Sequence, residues 1–156
     1  MKTKRALLVL GNQLFPLAHV QAAEIDCVFM IEHRFLCQHF AYHQQKLVLV
    51  LAAMRSYAQS LQAAGVEVAY HSLDDEAPGV SAASSIDEFV EVLQHLSQQH
   101  AVTELCYFEV EGKAMQARLE RWAMESGIER RVLSSPMFLC DRETFANFLD
   151  GRTKVQ

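Results

Sequence analysis

The sequence predicts an α/β fold, a Rossmann-like doubly wound parallel sheet of five strands in a single three-layer domain. The chain has 156 residues, the size of one ordinary domain, and 51% of them are hydrophobic, which is ample for one core. Short apolar runs alternate with longer helical patterns along the chain. This alternation is typical of a parallel sheet covered on both faces, and right-handed crossovers leave few topologies.

Short apolar runs bounded by glycine or polar residues predict the strands, because a strand buried on both faces is hydrophobic throughout. In chain order the predicted strands are 6–10, 27–31, 66–71, 104–108 and 131–133.

Longer segments with apolar residues three and four apart predict the helices. Gly65 is a natural stop for the first of them, which carries the longest apolar stripe. Ser85 and Glu88 form a capping-box pattern, and Asp141 is a typical N-cap. The predicted helices are 43–64, 85–96, 113–126 and 142–149.

The remaining segments predict the domain boundaries and the loops. Segment 11–26 contains Pro16 and is expected to hold one short helix, while 74–84 is expected to be a loop. We take 1–150 as the domain. Residues 151–156 have no apolar period, so they are either a linker stub towards a further domain or a frayed terminus.

Charge and composition exclude several classes of protein. The net charge of -5 argues against nucleic-acid binding by this chain alone, since neutralising phosphates requires clustered Lys and Arg. The longest apolar run, 47–54, is too short to span a bilayer, and we identify no signal peptide, so we expect a cytoplasmic protein. Its cysteines are scattered; Cys27 and Cys106 fall in predicted strands and are expected to be reduced core residues.

Polar side chains follow the first two predicted strands, where open α/β sheets bind ligands. Gly11 permits close approach of the backbone, and the amides of Asn12 and Gln13 suit the carbonyl and nitrogen edges of a heteroaromatic ring. An ordinary strand-to-helix turn is the alternative. Glu32 either accepts a hydrogen bond from a ligand or caps backbone N–H groups. The glycine-rich dinucleotide fingerprint and the P-loop are both absent from the sequence.

His39, His43 and Lys46 come together at the start of the longest helix. With the helix N-terminus they predict a positive corner suited to a phosphate, a carboxylate or a sugar hydroxyl, and the alternative is a solvated helix start. His33 and Cys37 lie nearby, but the His and Cys spacing fits no standard zinc site, so we expect no metal.

The acidic pair Asp74-Asp75 closes the third predicted strand. It either caps the following segment, hydrogen-bonds ribose hydroxyls or forms a solvated turn.

Several short motifs occur in a characteristic order: Gly11-Asn12-Gln13-Leu14, Glu32, the His-x-x-Lys pair His43 and Lys46, Ala53-Met54-Arg55, and Leu73-Asp74-Asp75. Together they resemble the N-terminal domain of bacterial photolyase-related proteins, the cryptochrome/photolyase branch whose full-length members carry an iron–sulfur cluster. Asn12 and Leu36 stand where the family has carboxylates.

The resemblance implies an antenna domain that binds a ribityllumazine-type pigment through Gly11, Asn12, Gln13, Glu32, His39, His43 and Lys46. The pigment would pass excitation to FAD in a C-terminal domain that also holds the iron–sulfur cluster and contacts damaged DNA. That full-length protein would be a DNA photolyase, a lyase, or a blue-light sensor, and this chain alone would not turn over substrate. The alternatives are a stand-alone nucleotide or small-ligand module and a structural docking domain.

Overall fold

The computed structural model describes residues 3–34, 37, 41–75 and 87–150, and within them it contains a five-stranded, all-parallel sheet. The strands are β1 (Arg5–Val9), β2 (Cys27–Ile31), β3 (Val68–His71), β4 (Glu104–Phe108) and β5 (Glu129–Leu133). Their order across the sheet is β3-β2-β1-β4-β5. The helices that lie wholly within the described ranges are α1 (Leu17–Ala22), α2 (Gln44–Ala63), α3 (Asp87–Gln99), α4 (Lys113–Ser126) and α5 (Arg142–Leu149).

The central strand β1 shows how the two faces of the sheet are covered. Ala6 and Leu8 pack with residues of α3 and α4, whereas Leu7 and Val9 pack with residues of α1 and α2. Successive side chains of a strand point to opposite faces, so helices lie on both sides of the sheet. The predicted doubly wound, three-layer α/β fold is confirmed.

Three strand boundaries differ from the prediction. β1 begins and ends one residue early, at Arg5 and Val9. β3 begins at Val68 rather than at Val66, because the Val66 N–H still donates to the Leu61 carbonyl at the end of α2. β5 begins at Glu129 because the sheet edge recruits polar residues by backbone pairing with β4, which an apolar pattern does not reveal.

The helix boundaries agree more closely with the prediction. α4 and α5 have the predicted bounds, and the Asp141 carboxylate accepts the Thr144 N–H at 2.7 Å as the N-cap of α5. Gly65 follows α2 with a φ of +82°, a conformation that favours glycine. α2 lacks the two terminal predicted residues, which are its caps, and α3 continues past Leu96 to Gln99. Outside the described residues lie the predicted cap Ser85, most of the loop at 74–84, Leu36 and the tail at 151–156.

The four cysteines are free, and Cys27 and Cys106 are fully buried in β2 and β4, as predicted. Burial raises the pKa of the Cys27 thiol to about 11, so it stays protonated at neutral pH. Among the described residues, none of the helices is both long and apolar enough to span a bilayer.

Candidate functional site

The strand order creates a crevice at the carboxyl edge of the sheet. β1 has β2 on one side and β4 on the other, so the chain winds away from β1 in both directions. Open α/β sheets bind their ligands at such a switch point. A cavity of about 460 Å³ lies there, within the size range of small-molecule sites.

Elements from both faces of the sheet build the cavity walls. The end of β2 and the loops after β1 and β2 contribute Leu10, Gly11, Asn12, Ile31, Glu32 and His33. Helix α2 forms one wall with Lys46, Leu47, Val50, Leu51 and Met54. The segment that enters α4 forms another wall with Val110, Glu111, Gly112 and Met115.

The apolar stripe of α2 serves two purposes along its length. Met54, Ala58 and Leu61 are buried in the core, as a helix packed on a sheet requires. Val50 and Leu47, one and two turns before Met54, line the cavity, whereas Met54 both lines it and packs in the core. The sequence predicts a single apolar face, but only the second half of that face is covered by the sheet.

The Glu32 carboxylate is buried at the end of β2, where it accepts hydrogen bonds from other residues of the chain. Arg55 holds it in a bidentate pair, with Nε 2.7 Å from Oε1 and Nη2 2.9 Å from Oε2. The Tyr70 hydroxyl donates to Oε1, and the Leu73 N–H donates to Oε2 at 3.0 Å. These four donors fill the acceptor sites of a carboxylate.

The ionisation of Glu32 follows from these partners. Burial by itself raises the pKa of the carboxyl, but the hydrogen bonds from Arg55, Tyr70 and Leu73 outweigh it and bring the pKa to about 2. Burial, and then the hydrogen bond to Glu32, raises the pKa of the Tyr70 hydroxyl. Glu32 is therefore a fixed anion that ties β2 to α2 and β3.

Neither Arg55 nor Tyr70 is predicted as a site residue from the sequence. A carboxylate at the end of a buried strand needs donors. Arg55 lies on α2 and Tyr70 on the neighbouring strand β3, the elements in which a donor for this carboxylate is expected. Their separations from Glu32 of 23 and 38 residues hide the cluster from any local pattern.

His33 is a neutral group in the cavity wall. The residue is buried, and its ring centroid lies 5.3 Å from that of Phe89. Burial, with a smaller contribution from the positive charge of Arg118, lowers the pKa of the imidazole to about 4. At neutral pH the cavity wall therefore presents an uncharged ring here.

The loop after β1 packs tightly against its surroundings. Gly11 faces Met54 so closely that a Cβ at Gly11 would lie 2.8 Å from the Met54 Sδ. Asn12 is exposed at the cavity, and its Nδ2 donates to the Glu111 Oε1 at 3.2 Å. Gln13 is buried and does not line the cavity; its Nε2 donates to the Glu109 carbonyl at 2.9 Å. Both amides therefore join the loop after β1 to the loop after β4.

The residues of the predicted positive corner have different positions relative to the cavity. Lys46 lines the cavity, with its Nζ 4.8 Å from the centroid of the Tyr42 ring. His43 is the N-cap of α2 and accepts the Gln45 N–H through its own Nδ1, so it lies beside the cavity rather than in its lining. His39 lies outside the described residues.

Two other sequence features have local roles. The Asp75 carboxylate accepts the Ser72 N–H at 2.7 Å within the turn after β3, and this hydrogen bond lowers the pKa of its carboxyl. Asp74 is exposed, 4.0 Å from the Arg55 Nη2. Within 3–34, 37, 41–75 and 87–150, His, Cys, Asp and Glu form no group of three or more suited to a metal.

The arrangement suits one kind of ligand. Most residues that line the cavity are apolar, Glu32 and His33 are buried in its wall, and Asn12, Lys46 and Glu111 supply polar groups that are exposed to solvent. Flat aromatic rings gain most from an apolar slot, and polar tails remain hydrogen-bonded at its rim.

Comparison with known proteins gives two matches. The sequence model of the deoxyribodipyrimidine photo-lyase-related protein family matches residues 7–156. A curated relative, the (6-4) photolyase of Agrobacterium fabrum (strain C58 / ATCC 33970), is 24% identical over 152 residues. The match covers 96% of this chain and 29% of that protein.

Proposed function

Because the chain belongs to the deoxyribodipyrimidine photo-lyase-related protein family, we propose that it binds an antenna pigment for a photolyase-related flavoprotein. In the full-length protein this function serves light-driven repair of DNA lesions or blue-light sensing. The observation that carries the proposal is the cavity of about 460 Å³ at the switch point between β1 and β4. Antenna function requires a held and oriented pigment, and a mostly apolar slot with a polar rim suits that task.

The residues of the cavity fit a ribityllumazine-type pigment. Its ring would lie between the apolar side chains of α2 and of the segment entering α4, such as Val50 and Val110. Its hydroxylated tail would meet Asn12, Lys46 and Glu111 at the rim. A bound pigment supplies light absorption and passes the excitation to a flavin.

The predicted binding residues then have different roles. Asn12 and Lys46 contact the pigment, and Gly11 lets α2 approach the loop after β1. Glu32 is a positioning residue, because its acceptors are already used by Arg55, Tyr70 and the Leu73 N–H. Gln13 and His43 support the loop after β1 and the start of α2, and His39 is a further candidate contact.

The proposed partner is a C-terminal flavin domain of the same longer protein, which would hold FAD and the iron–sulfur cluster. DNA would be contacted only through that domain, in the cytoplasm. Support comes from apolar side chains that are exposed on α5 and on the loop before it, such as Leu139 and Phe145. Exposed apolar surface of this kind commonly marks an interaction site. The same surface also favours the alternative of a purely structural docking domain.

A titration with ribityllumazine and with riboflavin tests pigment binding. Ligand that binds the folded state raises the melting temperature by mass action. Val50→Trp, which places an indole at the cavity wall, should remove most of the shift. Val48→Trp is the matched control, because Val48 lies two residues away on α2, is exposed and does not line the cavity.

The two variants together test whether the pigment binds in this cavity or elsewhere on the chain. A melting shift that persists in Val48→Trp and disappears in Val50→Trp places the pigment in this cavity. If neither compound shifts the melting of the unmodified chain at large excess, the docking-domain alternative becomes the better account.

A further inference from the structure

Glu111 places a negative charge at the rim of the cavity. It lies where the loop after β4 leads into α4, and its exposed side chain lines the opening. Its Oε1 accepts the hydrogen bond from Asn12 Nδ2 at 3.2 Å, so the carboxylate is held between the loops after β1 and β4. A ligand tail that leaves the cavity on this side meets this carboxylate.

Helix α4 begins directly behind that carboxylate. Its N-cap is Gly112, which has no side chain to cap the helix, and its first turn contains no acidic residue. Helix N-termini attract anions, including ligand phosphates. Here Glu111 is the residue next to the N-cap, so the chain itself brings a negative charge to this helix end.

Lys46 supplies the opposite charge from the α2 wall. Its Nζ lies against the face of the Tyr42 ring, 4.8 Å from the centroid. Among the described residues at the rim, Lys46 offers a cation and Glu111 an anion on different walls, and Asn12 adds an amide. A hydroxyl group uses all of these, since it both donates and accepts hydrogen bonds. A phosphate only accepts, and it carries nearly two negative charges at neutral pH.

We propose that Glu111 makes the cavity selective for pigments with an uncharged, hydroxyl-rich tail over the same ring with a phosphorylated tail. This inference rests on the pigment-binding function proposed above and names its ligand class. Glu111 acts as a specificity-determining residue through repulsion of the phosphate and acceptance of hydroxyl donors.

Riboflavin and riboflavin 5′-phosphate form a matched pair of probes, since only the phosphate differs. Riboflavin should bind about tenfold more tightly at low ionic strength, a ratio expected for one close like-charge contact in partly exposed surroundings. Added salt should reduce that ratio by screening the repulsion. Glu111→Gln should bring the two dissociation constants together, mainly by improving binding of the phosphate.

The control variant is Glu129→Gln, which removes an exposed carboxylate at the amino end of β5, the opposite edge of the sheet. It should leave the affinity ratio unchanged. If both flavins bind the unmodified chain equally, or the ratio is the same in Glu111→Gln, the selectivity proposal is wrong and pigment binding stands. If neither riboflavin nor ribityllumazine binds, both proposals fail.

Discussion

Gly11 and Met54 form the contact that sets the distance between the loop after β1 and helix α2. A Cβ built on Gly11 would lie 2.8 Å from the Met54 Sδ, closer than such atoms pack, although the φ of Gly11 is not in the left-handed region. Met54 lines the cavity, so the end of its flexible side chain can move aside only into that space. Close packing against Met54, rather than backbone conformation, therefore favours glycine at this position.

Gly11→Ala should lower the free energy of unfolding by about 1 kcal/mol through overpacking, because the end of the Met54 side chain can shift towards the cavity. Chemical denaturation measures this loss. In the double variant Gly11→Ala/Met54→Ala the new methyl group occupies part of the space that Met54 leaves. The double variant should therefore be less destabilised than the sum of the single variants, and simple additivity would contradict the contact.

Glu32→Gln should destabilise the chain although it preserves the shape of the side chain. The change leaves the Arg55 guanidinium and the Tyr70 hydroxyl without the anion that they share. We expect a loss of about 1–3 kcal/mol in the free energy of unfolding, because the fully buried carboxylate is replaced by an amide whose NH₂ group faces these donors. Asp74→Asn is the control, since this exposed carboxylate is 4.0 Å from the same arginine and should not matter.

Stability should fall in two stages as the pH decreases. The folded state lowers the pKa of His33 from 6.5 to about 4, because burial and Arg118 favour the neutral imidazole. Above pH 6.5 the imidazole is neutral in both states, so the free energy of unfolding is at its full value. Between pH 6.5 and pH 4 only the unfolded state binds the proton, and the free energy of unfolding falls by at most about 3 kcal/mol.

The Glu32 carboxyl accounts for the second stage. Burial opposes its ionisation, but its hydrogen bonds lower the pKa from 4.5 to about 2, so its contribution is present above pH 4.5 and is lost below that. Melting temperatures measured from pH 8 to pH 3 check both stages. His33→Gln should flatten only the first stage, and an unchanged profile in that variant would assign the loss to other groups.

Leu139→Ser and Phe145→Ser should leave the melting temperature of this chain nearly unchanged, because both side chains are exposed. In the longer protein the same substitutions should lower the melting temperature, if this surface packs against the flavin domain. Met124→Ser is the control, since Met124 is also exposed but lies on α4. An effect of all three variants in the longer protein would argue against a localised interface.

The sequence by itself determined the fold class, the strand-helix alternation and most element boundaries. Strands buried on both faces are continuous apolar runs, as in β2, and helix ends are marked by local chemistry, as at Asp141 and Gly65. These signals depend on neighbours in the chain and are visible without a structure. β5 was predicted too short because polar edge residues pair through their backbone.

Only the tertiary structure decided what each candidate site residue does. The sequence identified Glu32 but left its partners open, and the structure supplies Arg55 and Tyr70 from distant segments. It also separates Lys46, which lines the cavity, from Gln13, which is buried behind the loop. The physical reason is that hydrogen bonding and charge pairing depend on distances of about 3 Å between residues far apart in the chain. The periodicity of helices and strands and the capping of helices, in contrast, depend on residues only a few positions apart in the chain.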